Sequence, residues 1–164
     1  MKWWIIMCCL FLLTGCTATP VWETVDDSCE TAVQCTDYDL LLPLPNQAEV
    51  IGTRNGDTLY QMGSMEVMTT TFYAADYQTA VKHLSGYEAE NLNILQTFRF
   101  DLPEYQFVWY SQSEEGGMVY RADLVMDDMT CYAVVCGAPE TDDTFHDGAR
   151  QVFSSFGLYV QEQV

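Results

Sequence analysis

The sequence is poor in positively charged side chains. Six Lys and Arg residues stand against 24 Asp and Glu residues, which gives the 164-residue chain a formal net charge of −18 at neutral pH. A chain of this charge repels phosphate backbones, so nucleic acid is excluded as a partner, and anionic lipid head groups are avoided as well. We expect the acidity to serve solubility; the alternative is a role in binding cations.

The motifs of catalysis and metal binding are missing. The chain has two histidines, His83 and His146, and each lies beside the apolar stripe of a predicted helix, as surface histidines do. A P-loop, a nucleophile elbow, a zinc-protease motif, a dinucleotide-binding glycine pattern and a calcium loop are all absent from the sequence. The sequence therefore predicts no metal, no cofactor and no enzyme activity.

No apolar run is long enough to cross a membrane. The longest, residues 3–13, has 11 apolar residues behind Lys2, whereas a spanning helix needs about 20. A basic start and a run of this length are typical of a signal peptide. The run ends in the tetrapeptide LTGC at residues 13–16, which resembles the lipobox of bacterial lipoproteins.

This resemblance covers residues 1–16 and implies how the chain is processed. In that family the cysteine, here Cys16, receives a diacylglyceryl group and becomes the first residue of the mature chain. We therefore expect a signal peptide over 1–15, a lipid-anchored acidic tether over 16–37 and one domain over 38–164, held by membrane lipid on the extracytoplasmic face. Two acyl chains give such an anchor a stable hold. The alternative is a buried helix that ends in a structural cysteine.

Four further cysteines follow Cys16. Cys131 and Cys136 lie on one predicted strand, on opposite faces and about 16 Å apart, so they cannot pair with each other. Cys29 and Cys35 can form a disulfide across the short segment between them, which an exported chain permits. The alternative is a disulfide from this segment to the strand of Cys131.

Hydrophobic periodicity predicts an α+β fold. The pattern indicates an antiparallel meander sheet of about six to seven strands, joined by short turns, with two helices packed on it. Asn55-Gly56 lies between two strand-like runs and predicts a tight hairpin. Two prolines in the segment 40–45 predict an extended edge segment there.

Two segments carry helical spacing and end signals. Asp76 and Gly86 are the expected caps of the first helix, whereas Thr141 or Asp142 should begin the second and Gly157 should end it. Their apolar stripes are Tyr77, Ala80, Val81 and Leu84 in the first, and Phe145, Ala149, Val152, Phe153 and Phe156 in the second.

The order of these elements resembles the PsbP/Mog1-like α/β/α sandwich. The resemblance lies in the strand-rich middle and in the closing helix with the residues SSF at 154–156, over about 100 positions. It implies an accessory or binding module rather than an enzyme, by analogy of fold.

Aromatic side chains are concentrated on two adjacent predicted strands. Tyr105 and Trp109 lie on the first and Tyr120 on the second, with Arg99 and Arg121 in the same predicted sheet. One hypothesis is a sheet face that stacks a ligand on these rings while Arg121 binds an anionic group. The alternative is a core face under the helices, with Arg121 paired to a cross-strand carboxylate.

The sequence thus predicts a membrane-anchored binding or interaction module. One alternative is an accessory subunit of a membrane-associated complex. The other is an extracytoplasmic hydrolase with an unidentified acidic pair, since among 24 acidic residues some pair will meet the distance that glycoside hydrolysis requires by chance.

We predict that Cys16→Ala leaves the chain unprocessed or releases it from the membrane, because the acylated thiol is lost. Membrane fractionation and the mass of the mature chain measure this. A variant that still fractionates as mature, acylated protein would contradict the lipobox interpretation.

Overall fold

The computed structural model describes residues 38–43, 45, 48–54, 57–113 and 116–160, and the structural statements below concern these residues. The predicted signal peptide, the tether, Cys16 and the Cys29–Cys35 pair lie outside them. No helix in the described part of the chain is both long and apolar enough to span a membrane.

The described residues form a large antiparallel sheet with two α-helices, which confirms the predicted α+β fold. A 3₁₀ turn at Ala89–Asn91 follows the first helix. The strands are β1 (Tyr38–Leu41), β2 (Glu49–Arg54), β3 (Asp57–Met62), β4 (Met65–Tyr73), β5 (Ile94–Arg99), β6 (Leu102–Ser113), β7 (Gly116–Asp127), β8 (Thr130–Pro139) and β9 (Gly157–Val160), and the helices are α1 (Tyr77–Ser85) and α2 (Phe145–Ser155).

The large sheet has the strand order β2-β3-β4-β8-β7-β6-β5, and β1 pairs with β9 in a separate two-stranded sheet. The predicted Asn55-Gly56 hairpin joins β2 and β3, which pair with Arg54 opposite Asp57; the two turn residues themselves lie outside the described ranges. Strands β5 to β8 form the expected meander. The pairing of β8 with β4 then joins this meander to strands β2 to β4.

The central strand β8 is buried on both faces. Every residue from 131 to 138 is buried, because helices cover parts of both sheet faces. Cys131 and Cys136 project to opposite faces of this strand, as predicted, and their thiols are free. Burial raises the pKa of each thiol to about 12, so both behave as small apolar side chains.

Helix α1 begins and ends where the sequence predicts. The Asp76 carboxylate accepts a hydrogen bond from the backbone N–H of Thr79 at 2.7 Å, and Gly86 ends the helix with φ of 78°. Ala80 and Val81 pack against the sheet face that carries Phe107, which we call the α1 face.

The opposite face, here called the α2 face, carries α2 together with β1 and β9. Phe145, Phe153 and Leu158 pack there against Val67 and Val134. This three-part cover buries the whole middle of the α2 face.

The predicted ends of α2 were wrong. The helix begins at Phe145, with Thr144 in the cap position, because the Asp142 carboxylate accepts hydrogen bonds from the N–H and hydroxyl of Thr144 and shapes a turn before the helix. At the other end, Phe156 already has extended backbone and Gly157 opens β9.

Candidate functional site

The α1 face is only partly covered by its helix. Helix α1 has nine residues and is therefore about 13.5 Å long, whereas the 12-residue strand β7 beneath it extends about 40 Å. A cleft of about 590 Å³ lies beside the carboxyl end of α1, within the range of small-molecule sites. It is lined by Leu59, Glu66, Met68, Leu84, Ser85, Gly86, Tyr87, Trp109, Ser111, Tyr120, Val135 and Gly137.

Four of the lining residues form one row across the sheet. Glu66 on β4 pairs with Gly137 on β8, Gly137 pairs with Tyr120 on β7, and Tyr120 pairs with Trp109 on β6. Directly paired residues project to the same face, and neighbouring strands lie about 4.8 Å apart. The row therefore places a carboxylate at one end and two aromatic rings at the other, with a residue that lacks a side chain between them.

Gly137 forms the floor of the cleft. A Cβ atom on Gly137 would lie 2.6 Å from the Tyr120 ring, which is too close for a side chain, so the ring occupies the space above the glycine backbone. Sequence analysis missed this residue. The signal that could have found it is a glycine inside a strand, which often marks a close approach of other groups.

The rings of the row are held by stacking. Trp109 and Tyr120 stack with centroids 5.3 Å apart and an interplanar angle of 14°, and Phe107 stacks with Trp109 at 5.5 Å. Trp109 is 6% exposed. Stacking and burial fix these rings before any ligand arrives, so the aromatic part of the cleft is rigid.

The wall of the cleft is formed by the chain that leaves α1. Gly86 turns the backbone, after which the Tyr87 hydroxyl donates a hydrogen bond to the Tyr110 carbonyl at 2.9 Å. The Ser85 hydroxyl donates to the Val81 carbonyl and accepts from the Tyr87 N–H. Both hydroxyl groups therefore already make hydrogen bonds that hold the wall in place.

Tyr105, a predicted site residue, does not line this cleft. Its ring stacks on Tyr77 of α1, with centroids 4.7 Å apart and an interplanar angle of 8°. Burial, with a smaller contribution from Tyr77, raises the pKa of Tyr105. Tyr105 thus belongs to the core under α1, whereas Trp109 and Tyr120 reach the cleft.

The two predicted arginines lie on the other side of the sheet. Arg121 follows Tyr120 along β7 and therefore projects to the α2 face, where its guanidinium lies 5.5 Å from the Phe153 ring and donates to the His146 carbonyl. Arg99 also projects to the α2 face, over the ring of Phe156 at 4.2 Å. The structure does not bring these arginines together with the aromatic rings.

Arg99 anchors the end of α2 to the sheet. Its guanidinium donates to the carbonyls of Phe153 and Phe156, at 2.8 and 3.2 Å, which are acceptors that the end of a helix leaves unpaired. Its charge is matched by Glu104 at 2.6 Å, and Asp123 Oδ2 accepts a further hydrogen bond from it at 3.0 Å. Carboxyl groups of neighbouring strands therefore pair with Arg99, whereas the alternative drawn from the sequence paired one with Arg121.

The pKa values of the two carboxyl groups beside Arg99 are shifted in opposite directions. Asp123 is 0% exposed, and burial raises its pKa to about 8, against the lowering effect of Arg99. For Glu104, burial raises the pKa, but hydrogen bonds from Thr97 and Arg99 and the charge of Arg99 outweigh it, so the pKa is lowered. The Asp123 Oδ1 atom has no hydrogen-bond partner among the described residues. The cluster thus holds one cation, one anion and one neutral acid.

Metal ligands are not clustered in the described part of the chain. No group of three or more His, Cys, Asp or Glu side chains there is placed to hold an ion.

Comparison with known proteins finds a shared fold but no relative in sequence. No protein family and no curated protein matches this chain. Its structure is similar to a crystal structure of a protein from Bacteroides thetaiotaomicron VPI-5482, with a TM-score of 0.53 and 9% identity over 76% of this chain and 46% of that one. This chain therefore spans about half the length of that protein, and the likeness shows the fold alone.

A solution structure of cyanobacterial PsbP (CyanoP) from Synechocystis sp. PCC 6803 is a second structural neighbour. The TM-score is 0.48, with 13% identity, and the match covers 75% of this chain and 93% of that chain.

We predict that Asp123→Asn changes how stability depends on pH. Between about pH 4 and pH 8 folded Asp123 keeps a proton that the unfolded chain releases, so its ionisation lowers stability as pH rises, by up to about 1.4 kcal/mol per pH unit. Asparagine cannot ionise, and its amide oxygen can accept the hydrogen bonds from Arg99 and Gln106. Urea unfolding from pH 5 to pH 8 should therefore show a gain for Asp123→Asn over the wild type that grows with pH.

The exposed Asp143 provides a matched control, because Asp143→Asn changes a carboxylate that water solvates. Its stability should follow the wild-type pH dependence. If the stability of Asp123→Asn followed the wild-type pH dependence as well, Asp123 would not hold the proton.

Proposed function

We propose that this chain is a binding module that takes a small ligand in the cleft of the α1 face, and that the lipid on Cys16 holds it at the extracytoplasmic membrane face. The observation that carries the binding proposal is the Tyr120 ring lying over Gly137 beside Trp109. A rigid aromatic platform in a cleft of about 590 Å³ suits a ligand with an apolar body.

Binding is favoured over hydrolysis by what the cleft contains. A hydrolytic site needs at least two convergent titratable groups of suitable pKa that reach the substrate. Among the described lining residues, Glu66 is the single carboxylate. The pair with opposed pKa shifts, Glu104 and Asp123, lies on the α2 face at 5% and 0% exposure, where no substrate can touch it.

A second candidate function, an accessory subunit, is supported by the edge strand β5. Leu95 and Phe98 are exposed there, Phe98 at 72%, as is Phe100 in the turn that follows. Among the described residues, β5 pairs with β6 alone. The strand has no acidic residue, and Arg99 is engaged with the α2 face. An uncharged apolar edge on an acidic protein suits a partner that adds a strand.

We predict that Gly137→Ala closes the cleft. The new methyl group would displace the Tyr120 ring and destabilise the fold by about 1–3 kcal/mol. Affinity for 2-phenylethanol, a probe that combines an aromatic ring with an uncharged polar group, should fall about tenfold or more. Chemical denaturation and titration of Trp109 fluorescence measure the two effects.

Two further variants separate packing from binding. Gly148→Ala is the control, because a Cβ on Gly148 would meet ordinary contacts at 3.6 Å in a helix on the other face. The double variant Gly137→Ala/Tyr120→Ala should be more stable than Gly137→Ala alone. It should not regain affinity for the probe. Unchanged probe affinity in the stable double variant would contradict a role for the Tyr120 platform.

The accessory-subunit proposal predicts a discrete contact along β5. A photo-cross-linking amino acid at position 98 should give an adduct of one defined mass in cells, because a partner strand would cover that side chain. The same group at the exposed position 143 serves as the control. Equal, diffuse adducts at both positions would count against a partner on β5.

A further inference from the structure

We infer that the ligand of the α1-face cleft is a small organic cation with an apolar body, bound through its ammonium group to Glu66 and through its body to Tyr120 and Trp109. This inference rests on the proposed function and specifies its ligand class. The charge of the lining, the state of its hydroxyl groups and the order of residues along the row support it.

The charge of the cleft has one sign. Glu66 is the sole charged side chain among the described residues that line it, and the chain as a whole carries −18. The arginines of the sheet, Arg99 and Arg121, point to the other face. An anionic ligand would therefore meet a carboxylate and no counter-charge, whereas a cation would be attracted both at a distance and in contact.

The one carboxylate of the described lining favours a ligand that donates, and two of the four side-chain hydroxyl groups there are already committed as donors. The hydroxyl hydrogens of Ser85 and Tyr87 are already given to the carbonyls of Val81 and Tyr110. Glu66 is exposed and accepts hydrogen bonds without donating any. An ammonium group supplies three donors and a positive charge to this carboxylate, and a neutral ligand supplies fewer donors and no charge.

The geometry places the carboxylate and the ring on either side of the same floor. Glu66 and Tyr120 are both paired with Gly137, from opposite sides, so their backbones are two strand spacings, about 10 Å, apart. The Tyr120 ring extends over Gly137 and thus toward Glu66. An ammonium group between the Tyr120 ring and Glu66 meets the carboxylate on one side and an aromatic ring on the other, an arrangement that favours cations.

The rest of the cleft suits an apolar body. Leu59, Met68 and Val135 occupy the adjoining cross-strand row, and Trp109 continues the aromatic surface beyond Tyr120. A cation without such a body would leave these side chains facing water, and it would gain little from them. The class expected is therefore an aryl- or alkyl-ammonium compound rather than a simple inorganic ion.

Trp109 provides a local reporter for the test. The other tryptophans are Trp3, Trp4 and Trp22, so the full chain with these three changed to Phe has Trp109 as its one tryptophan. The probes are 2-phenylethylammonium, 2-phenylethanol and 3-phenylpropionate, which share a ring and differ in charge. We expect saturable changes in fluorescence, with the ammonium probe binding about tenfold more tightly than the alcohol and the carboxylate binding least.

The variant Glu66→Gln tests the residue that selects the charge. The preference for the ammonium probe over the alcohol should fall from about tenfold to about one. The control is Asp143→Asn, an exposed carboxylate in the turn before α2 and outside the cleft lining, which should keep the preference.

The outcomes separate the two proposals. Equal affinity for the ammonium probe and the alcohol, or a preference that survives Glu66→Gln, would overturn the cation inference while the cleft remains a binding site. Tightest binding of 3-phenylpropionate would overturn it as well. If none of the three probes changed Trp109 fluorescence saturably, the cleft would not be a binding site, and the proposed function would fail together with the inference.

Discussion

Burial of the central strand on both faces is the constraint on which this structure depends. All residues from 131 to 138 in β8 are buried, so apolar elements must cover both faces of the sheet. On the α2 face, α2, β1 and β9 together supply that cover. On the α1 face a nine-residue helix covers one part, and the uncovered remainder is the cleft.

The two faces consequently differ in what their polar groups do. On the α2 face, Arg99 joins β5, β6 and β7 to the last carbonyls of α2, and Glu104 balances its charge inside the protein. Removing one member of such a buried set leaves the others unpaired, which costs several kcal/mol. On the α1 face, Glu66 stands exposed at the end of an aromatic row, and it has no arginine to neutralise it among the lining residues. One set of polar groups holds the fold, and the other is free to meet a ligand.

Much of this architecture could be predicted from the sequence because it depends on local signals. Helix α1 follows from its apolar spacing and from Asp76 and Gly86, and the β2–β3 hairpin follows from Asn55-Gly56 between two strand-like runs. The separation of Tyr120 from Arg121 was also present in the sequence, since adjacent residues on a strand face opposite ways. The hypothesis of one site containing both residues overlooked that rule.

Other features depend on contacts between distant parts of the chain and could not be read locally. Gly137 forms the floor of the cleft because the register of β7 and β8 places Tyr120 opposite it. The sequence around either residue does not reveal that they pair. The proton on Asp123 depends on burial and on the neighbouring Glu104 carboxylate, which outweigh the lowering effect of Arg99 on its pKa. Helix α2 begins later than predicted because the Asp142 side chain accepts hydrogen bonds from Thr144. Several residues that could cap a helix lie within a few positions of one another in this segment, and the sequence does not select one of them.

The central claim is that the α1-face cleft, with its floor at Gly137, is the ligand site. Mapping of backbone amide chemical shifts on the full chain during titration with 2-phenylethylammonium tests it most directly. The account predicts saturable shifts concentrated at Glu66, Tyr120 and Gly137 and along the adjoining parts of β4, β7 and β8. Shifts concentrated on the edge strand β5 or on helix α2, with the cleft amides unmoved, would contradict it.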